Sequence, residues 1–365
     1  MPIDLFQPFN IKNLELGNRF VRSATWDGSA DESGKVTNGS VALYRKLGQG
    51  EIGLIVTGHA FVSKLGQATP GQYGIYNDEM IPGLRRLTRV VHKSEGKIAI
   101  QITHAGINSG YLEKQGIPVP AVSADSGVGR PHFEMSDEDI EAIISDFTAA
   151  AQRAVEAGFD AVQLHGAHGY LMSQFLSPVT NRRRDRWGGS PENRRRFHLE
   201  IVSRIRKAVG PDFPVLVKFG VRDDAENGLS LEEGLETARQ MQIKGIDAIE
   251  VSGGIGMSPV SKGEAYYRDR ASAVKQFVSI PVIAVAGIRS LQTAQSIVDN
   301  GDADLISMSR PFIREPGLVA RWKKEQQGTA KCISCSRCFI FPSRGLPLRC
   351  GQDNKLKMKQ HELDL

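Results

Sequence analysis

The chain has 365 residues, with 46 Lys or Arg against 41 Asp or Glu and a formal charge of +5. Apolar residues make up 40 % and charged residues 24 %. That balance belongs to a folded globular chain and excludes a disordered tail, a collagen-like repeat and a disulfide-dense miniprotein. No run reaches the roughly 18 apolar residues of a membrane span. The opening MPIDLFQPFN lacks the basic and then apolar pattern of a secretory leader, so a cytoplasmic protein is expected.

Short apolar runs alternate with longer amphipathic ones along the chain. Strands are predicted at 19–24, 53–58, 97–102, 160–165, 214–219, 248–253, 281–286 and 305–310. Most have apolar residues on both faces, as parallel strands under helices require. Helices are predicted between them at 38–49, 78–95, 137–157, 191–209, 231–244, 269–278 and 291–299, with a last one at 316–327. Ser136 before Asp139 and Ser230 before Glu233 fit helix starts. Gly158, Gly210, Gly245 and Gly301 fit helix ends. The runs Arg182–Arg184 and Arg194–Arg196 are interrupted by Asp185 and Glu192. They lack interleaved aromatics and read as ion-paired faces, so no nucleic-acid partner is expected.

Eight strands alternating with helices predict an α/β fold, a (β/α)₈ TIM barrel. It spans residues 1–328, and a short C-terminal extension, 329–365, carries the cysteines. A doubly wound open sheet is the alternative. It is disfavoured because no glycine-rich nucleotide fingerprint follows the first strand.

The ends of barrel strands are where such folds keep their chemistry. Gln101 and His104 end the third strand in QITHAG, and His165, His168 and Tyr170 close the fourth in HGAHGY. Lys218 lies inside the fifth strand, where a buried cation needs a partner. Gly287 ends the seventh strand and Arg310 the eighth, next to the customary phosphate site of the fold. Donors and a phenol with few carboxylates favour an anionic or electron-rich ligand over hydrolysis by paired carboxylates. Two neighbouring imidazoles suit charge developing on one carbonyl oxygen, with Tyr170 as proton donor. All four cysteines fall in C332-x2-C335-x2-C338-x11-C350. That spacing predicts a metal site, either a [4Fe–4S] cluster or a tetrahedral zinc ion.

The segment 158–197, GFDAVQLHGAHGYLMSQFLSPVTNRRRDRWGGSPENRRRF, resembles the signature stretch of the old yellow enzyme family of FMN oxidoreductases. The resemblance extends through NRFVRSAT, GLIVTG, QITHAG, VIAVAGI and DLISMSRPFIREP. The cysteine segment resembles that of the 2,4-dienoyl-CoA reductase and trimethylamine dehydrogenase branch. A second half with flavin- and nucleotide-binding domains follows in that branch. With the last residue at Leu365, this chain is expected to lack it.

The resemblance implies a non-covalent FMN. Ser23, Ala24, Thr25, His59 and Gln101 would contact its ring system, Lys218 its N1 and O2 edge, and Gly287, Ser309 and Arg310 its phosphate. His165 and His168 would bind a substrate carbonyl, with Tyr170 as proton donor and Trp26 narrowing the pocket. The implied reaction is reduction of the activated C=C bond of an unsaturated carbonyl compound or thioester. Electrons would come from NAD(P)H or, through a cluster, from a ferredoxin, a flavodoxin or a partner redox subunit. Homo-oligomers are common in the family. Amine oxidation of the trimethylamine dehydrogenase type, a zinc-stabilised barrel and an electron-transfer subunit are the alternatives. Lys218 in place of a commoner Arg exchanges a planar fork for a point charge. Ala286 and Ser309 replace common glycines, and Ile107 replaces an Arg.

Overall fold

A computed structural model describes residues 2–125, 127, 129–256 and 263–352. Eight strands form a closed parallel barrel: β1 (Phe20–Arg22), β2 (Leu54–Val56), β3 (Ile98–Thr103), β4 (Ala161–Gly166), β5 (Val215–Gly220), β6 (Ala248–Ser252), β7 (Val282–Ala284) and β8 (Leu305–Met308). Neighbours around the barrel follow chain order, and β8 pairs with β1 to close it. The doubly wound alternative is thereby excluded.

The helices are α1 (Asn38–Gly48), α2 (Ile81–His92), α3 (Asp137–Glu156), α4 (Pro191–Val209), α5 (Leu231–Lys244), α6 (Arg268–Phe277), α7 (Leu291–Asp299) and α8 (Leu318–Glu325). Ser136 and Asp139 cap α3 reciprocally, and Ser230 accepts from the Glu233 amide at the start of α5. The four predicted terminating glycines all have positive φ. Among the described residues no helix is long and apolar enough to cross a membrane.

The inward face of each strand follows from its period of two. Val21, Ala99, Ala161, Leu216, Ala248 and Leu305 form an apolar inner layer. Ile11, Leu14 and Leu16 pack into that same layer from an antiparallel hairpin, Phe9–Ile11 with Leu14–Leu16. One step of two further along, the inward residues become Ser23, Gln101, Gln163, Lys218, Glu250 and Ser307. The polar interior therefore begins directly above a greasy floor. The outward faces pack under the helices in a second apolar core that includes Val162, Leu164, Val217 and Ile249.

One shifted boundary changes the setting of a candidate residue. The eighth strand ends at Met308, and Arg310 opens the short helix Arg310–Arg314 instead of closing the strand. Pro311 has no amide proton for the ladder and suits the first turn of a helix. The arginine runs are ion-paired as expected: Arg183 with Asp185 and Glu134, Arg194 with Glu233, and Arg182 with Asp125.

The cysteine segment folds back onto the barrel. Arg310 Nη1 donates to the Ser334 carbonyl and to Ser336 Oγ, each at 2.9 Å. The turn Ile340–Ser343 rests on the loop after β1, where a Cβ on Gly28 would lie 2.4 Å from Pro342 Cβ.

Candidate active site

Two adjoining cavities open at the C-terminal ends of the strands. One, of about 340 Å³, is bordered by Ser23, Ala24, Lys218, Gly287, Ser309 and Arg310. The other, of about 270 Å³, is bordered by Thr25, Trp26, His59, Gln101, His165 and Tyr170. Ala24, His168, Lys218, Ser309 and Phe339 border both. Every cofactor, substrate and proton-donor residue expected from the sequence thus lies around one divided space. One other candidate does not place there: His104 is buried, with Nδ1 accepting from the Gly106 amide.

Beneath the cavities lies a buried polar network. Register sets Gln101 opposite Gln163 and Lys218 opposite Glu250. Gln101 Nε2 donates to Gln163 Oε1 at 2.8 Å, and Gln163 Nε2 donates to Glu250 Oε2 at 2.9 Å. Glu250 Oε1 accepts from Lys218 Nζ at 2.9 Å, Ser23 Oγ at 2.8 Å and Ser307 Oγ at 2.7 Å. Lys218 therefore has the partner its burial demands, and it also faces both cavities. Burial works against ionising Glu250, but Lys218 and the two hydroxyls outweigh it and hold its pKa below the ordinary value.

The aromatic end is set by β4 and the turn after it. His165 Nδ1 accepts from the Ala167 amide at 3.3 Å, so its proton sits on Nε2. His168 lies at φ +58°, and its Nε2 is 2.7 Å from Ser252 Oγ. The His165 and His168 rings stand edge to face at 5.2 Å. The Tyr170 ring is 4.8 Å from His165 and stacks on His59 at 5.5 Å, with its hydroxyl 3.3 Å from His59 Nε2. Burial pushes His59 down to about 4 and Tyr170 up to about 12. Burial and the neighbouring His168, His59 and Lys218 charges hold His165 well below its usual value. At neutral pH the site offers neutral imidazoles and a protonated phenol.

These shifts have a consequence for stability. His59, His104, His165 and His198 all have folded pKa values depressed chiefly by burial. Their unfolded counterparts titrate near 6.5. Below that pH the unfolded chain binds more protons, so stability falls as pH drops. The urea midpoint should be lower at pH 5 than at pH 7.5. An equal midpoint would mean that these rings are solvated.

The first cavity bears Lys218, Arg289 and Arg310 and, among the described residues, no carboxylate on its border. Ala286 lies at φ +93° and Gly287 at φ +78°. Ala286 thus adopts a backbone conformation that glycine takes without strain. A Cβ on Gly287 would lie 2.7 Å from the Gly263 carbonyl oxygen. A cationic end with Gly287 on its wall, joined to a neutral donor-rich end, suits a ligand that carries both an anionic group and a flat ring system.

The profile of the NADH:flavin oxidoreductase / NADH oxidase family matches residues 4–328. The chain belongs to this family. It is 38 % identical over 315 residues to an NADPH dehydrogenase of Geobacillus sp. (strain WCH70), covering 86 % of this chain and 91 % of that one. It is 36 % identical over 365 residues to an NADH oxidase of Thermoanaerobacter brockii, covering 95 % of this chain but 55 % of that one. A solved 2-naphthoyl-CoA reductase complex superposes with a TM-score of 0.89 at 27 % identity, covering 95 % of this chain and 56 % of that one. The chain thus spans about half the length of the latter two relatives. Its barrel is a flavin oxidoreductase barrel of the old yellow enzyme type.

Six contributors were not read from the sequence: Gln163, Glu250, Ser252, Ser307, Arg289 and Phe339. The first four stand at inward positions and were open to the period-two argument. Phe339 comes from the extension, and no local pattern marks it.

None of the four cysteines is joined in a disulfide. Burial raises Cys332 and pushes Cys338 up to about 11, with charge on neighbouring thiols adding in the same direction. Gln352 bridges two of them, its amide 3.4 Å from Cys350 Sγ and its Nε2 3.8 Å from Cys335 Sγ. Ser334 and Ser336 have positive φ, which bends the segment around the thiols. Among the described residues, no group of three or more Cys, His, Asp or Glu side chains is disposed to hold a metal ion. The thiols share one neighbourhood and have the soft donor chemistry of an iron–sulfur or zinc site.

Proposed function

We propose that this chain is an FMN-dependent reductase of activated C=C bonds in unsaturated carbonyl compounds or thioesters. The reading rests on one arrangement: neutral imidazoles and a phenol around a cavity whose border, among the described residues, carries no carboxylate. Ser23, Ala24, Thr25, His59, Gln101 and Lys218 would hold the flavin ring, and Gly287, Ser309 and Arg310 its phosphate. Bound FMN supplies hydride to the carbon β to the carbonyl.

The remaining work belongs to side chains. His165, with its proton on Nε2, and His168 hold the carbonyl oxygen and stabilise enolate charge. Tyr170 gives its proton to the α carbon. Ser252 orients His168, and the Glu250 network holds Lys218. An ammonium substrate fits less well, because Lys218 faces both cavities.

Cys332, Cys335, Cys338 and Cys350 would take a metal in this reading, with a [4Fe–4S] cluster favoured over zinc by the resemblance of the segment. A cluster directs the search for a donor to ferredoxin, flavodoxin or a partner subunit; zinc leaves NAD(P)H. The barrel unit ends near residue 328. Anaerobically purified protein should show flavin absorption bands and a broad iron–sulfur shoulder, with about four irons per chain. Flavin with zinc and no iron would replace the cluster. No flavin after reconstitution with FMN would overturn the function.

A further inference from the structure

The cysteine segment is placed to do more than hold metal. Of the five residues that border both cavities, four come from the barrel and its strand-end loops and the fifth, Phe339, from the extension. Phe339 immediately follows Cys338 and is partly buried at the junction. It borders the same cavity as Trp26, Tyr170 and His165.

The segment is tied down on both sides of Phe339. Arg310 binds Ser334 and Ser336 before it. After it, Pro342 sits against Gly28, and the Arg349 guanidinium lies 4.3 Å from the Phe341 ring centroid. Gly28 also lies two residues after Trp26, so the loop carrying one aromatic wall seats the segment carrying the other.

Three of the polar groups of the second cavity, His165, His168 and Tyr170, come from β4 and the turn after it. Trp26 and Phe339 supply apolar aromatic surface contributed by other parts of the chain. A ligand whose carbonyl reaches the imidazoles therefore has its apolar body beside these two rings. Aromatic contact rewards a flat unsaturated body over a puckered aliphatic one.

We propose that Phe339 is a specificity-determining residue and that the cysteine segment doubles as a wall of the substrate pocket. The favoured ligand is a carbonyl compound with a planar aryl body. This rests on the carbonyl-binding reading of the site.

The test uses FMN-loaded enzyme and two ligands that are not reduced at a C=C bond, acetophenone and cyclohexanone. Binding is followed by the change in flavin absorbance. Phe339→Ala should weaken acetophenone by about tenfold and cyclohexanone by less than about twofold. Phe339→Leu keeps apolar bulk and protects the fold, and should weaken acetophenone by about threefold. Equal factors for the two ligands in both variants, or no change in either, would overturn the proposal. So would failure of both ligands to bind the wild-type enzyme. Turnover of 2-cyclohexenone by the wild type judges the carbonyl reading separately.

Discussion

Tyr170→Phe should leave reduction of the flavin unchanged and slow reduction of an enone by about 10²- to 10⁴-fold, the usual worth of a placed proton donor. The substitution keeps the ring, its stack on His59 and its contact with His165. It removes only the hydroxyl, which lies 3.3 Å from His59 Nε2. The expected loss therefore reports proton transfer and not packing. Burial holds the phenol near a pKa of about 12, so it stays protonated through the working range. Its weak acidity matches its task, because a developing enolate is itself a strong base. His59, held near 4 by burial, is neutral and has no proton to spare, so the phenolate regains its proton from solvent once the substrate has left. Stopped-flow measurement of the two half-reactions separates the effects. An unchanged oxidative half-reaction would remove Tyr170 from its role and point to solvent as the proton source.

The same residues show why much of this site was open to sequence reading. HGAHGY follows a strand whose limits differ from expectation by one residue at each end, and a strand end in a barrel faces the active site. The inner layering was equally accessible. Ala161, Gln163 and His165 alternate toward the cavity, as do Leu216 with Lys218 and Ala248 with Glu250. Yet AIEVS reads as an apolar strand with one stray carboxylate. Glu250 gains meaning only when register places Lys218 opposite it. Long-range contacts account for the other omissions. The hairpin at Phe9–Leu16 has strands of three residues each, too short for a period to show. Phe339 reaches the pocket because Arg310, Gly28 and Pro342 hold the extension in place, and no spacing within the segment encodes that seat. Arg310 opens a helix and does not close the strand, because Pro311 after it has no amide proton for the ladder.

Glu250→Gln should lower the free energy of unfolding by about 3–5 kcal/mol, the cost of leaving one member of a buried ion pair without its partner. The side chains of Glu250 and Lys218 are 0 % and 4 % exposed, so water cannot replace the missing charge. The amide can still meet Ser23, Ser307 and Gln163, which isolates the electrostatic part. Lys218→Met should cost a similar amount for the mirror reason. The double variant should recover most of the loss, since a buried pair exchanged for neutral groups is often close to neutral. FMN affinity should behave differently. Lys218 faces both cavities, so the double variant should fold yet bind FMN more weakly than the wild type. The pH dependence has a definite sign. The Glu250 pKa is depressed in the fold, so its contribution is complete above the unfolded value of about 4.3 and disappears as pH falls through the folded value. Urea unfolding and FMN titration of the three variants give both quantities. Additive losses in the double variant would mean that the two side chains act independently. Recovery of stability without recovery of FMN binding would identify Lys218 as a ligand-facing cation held in place by a carboxylate beneath it.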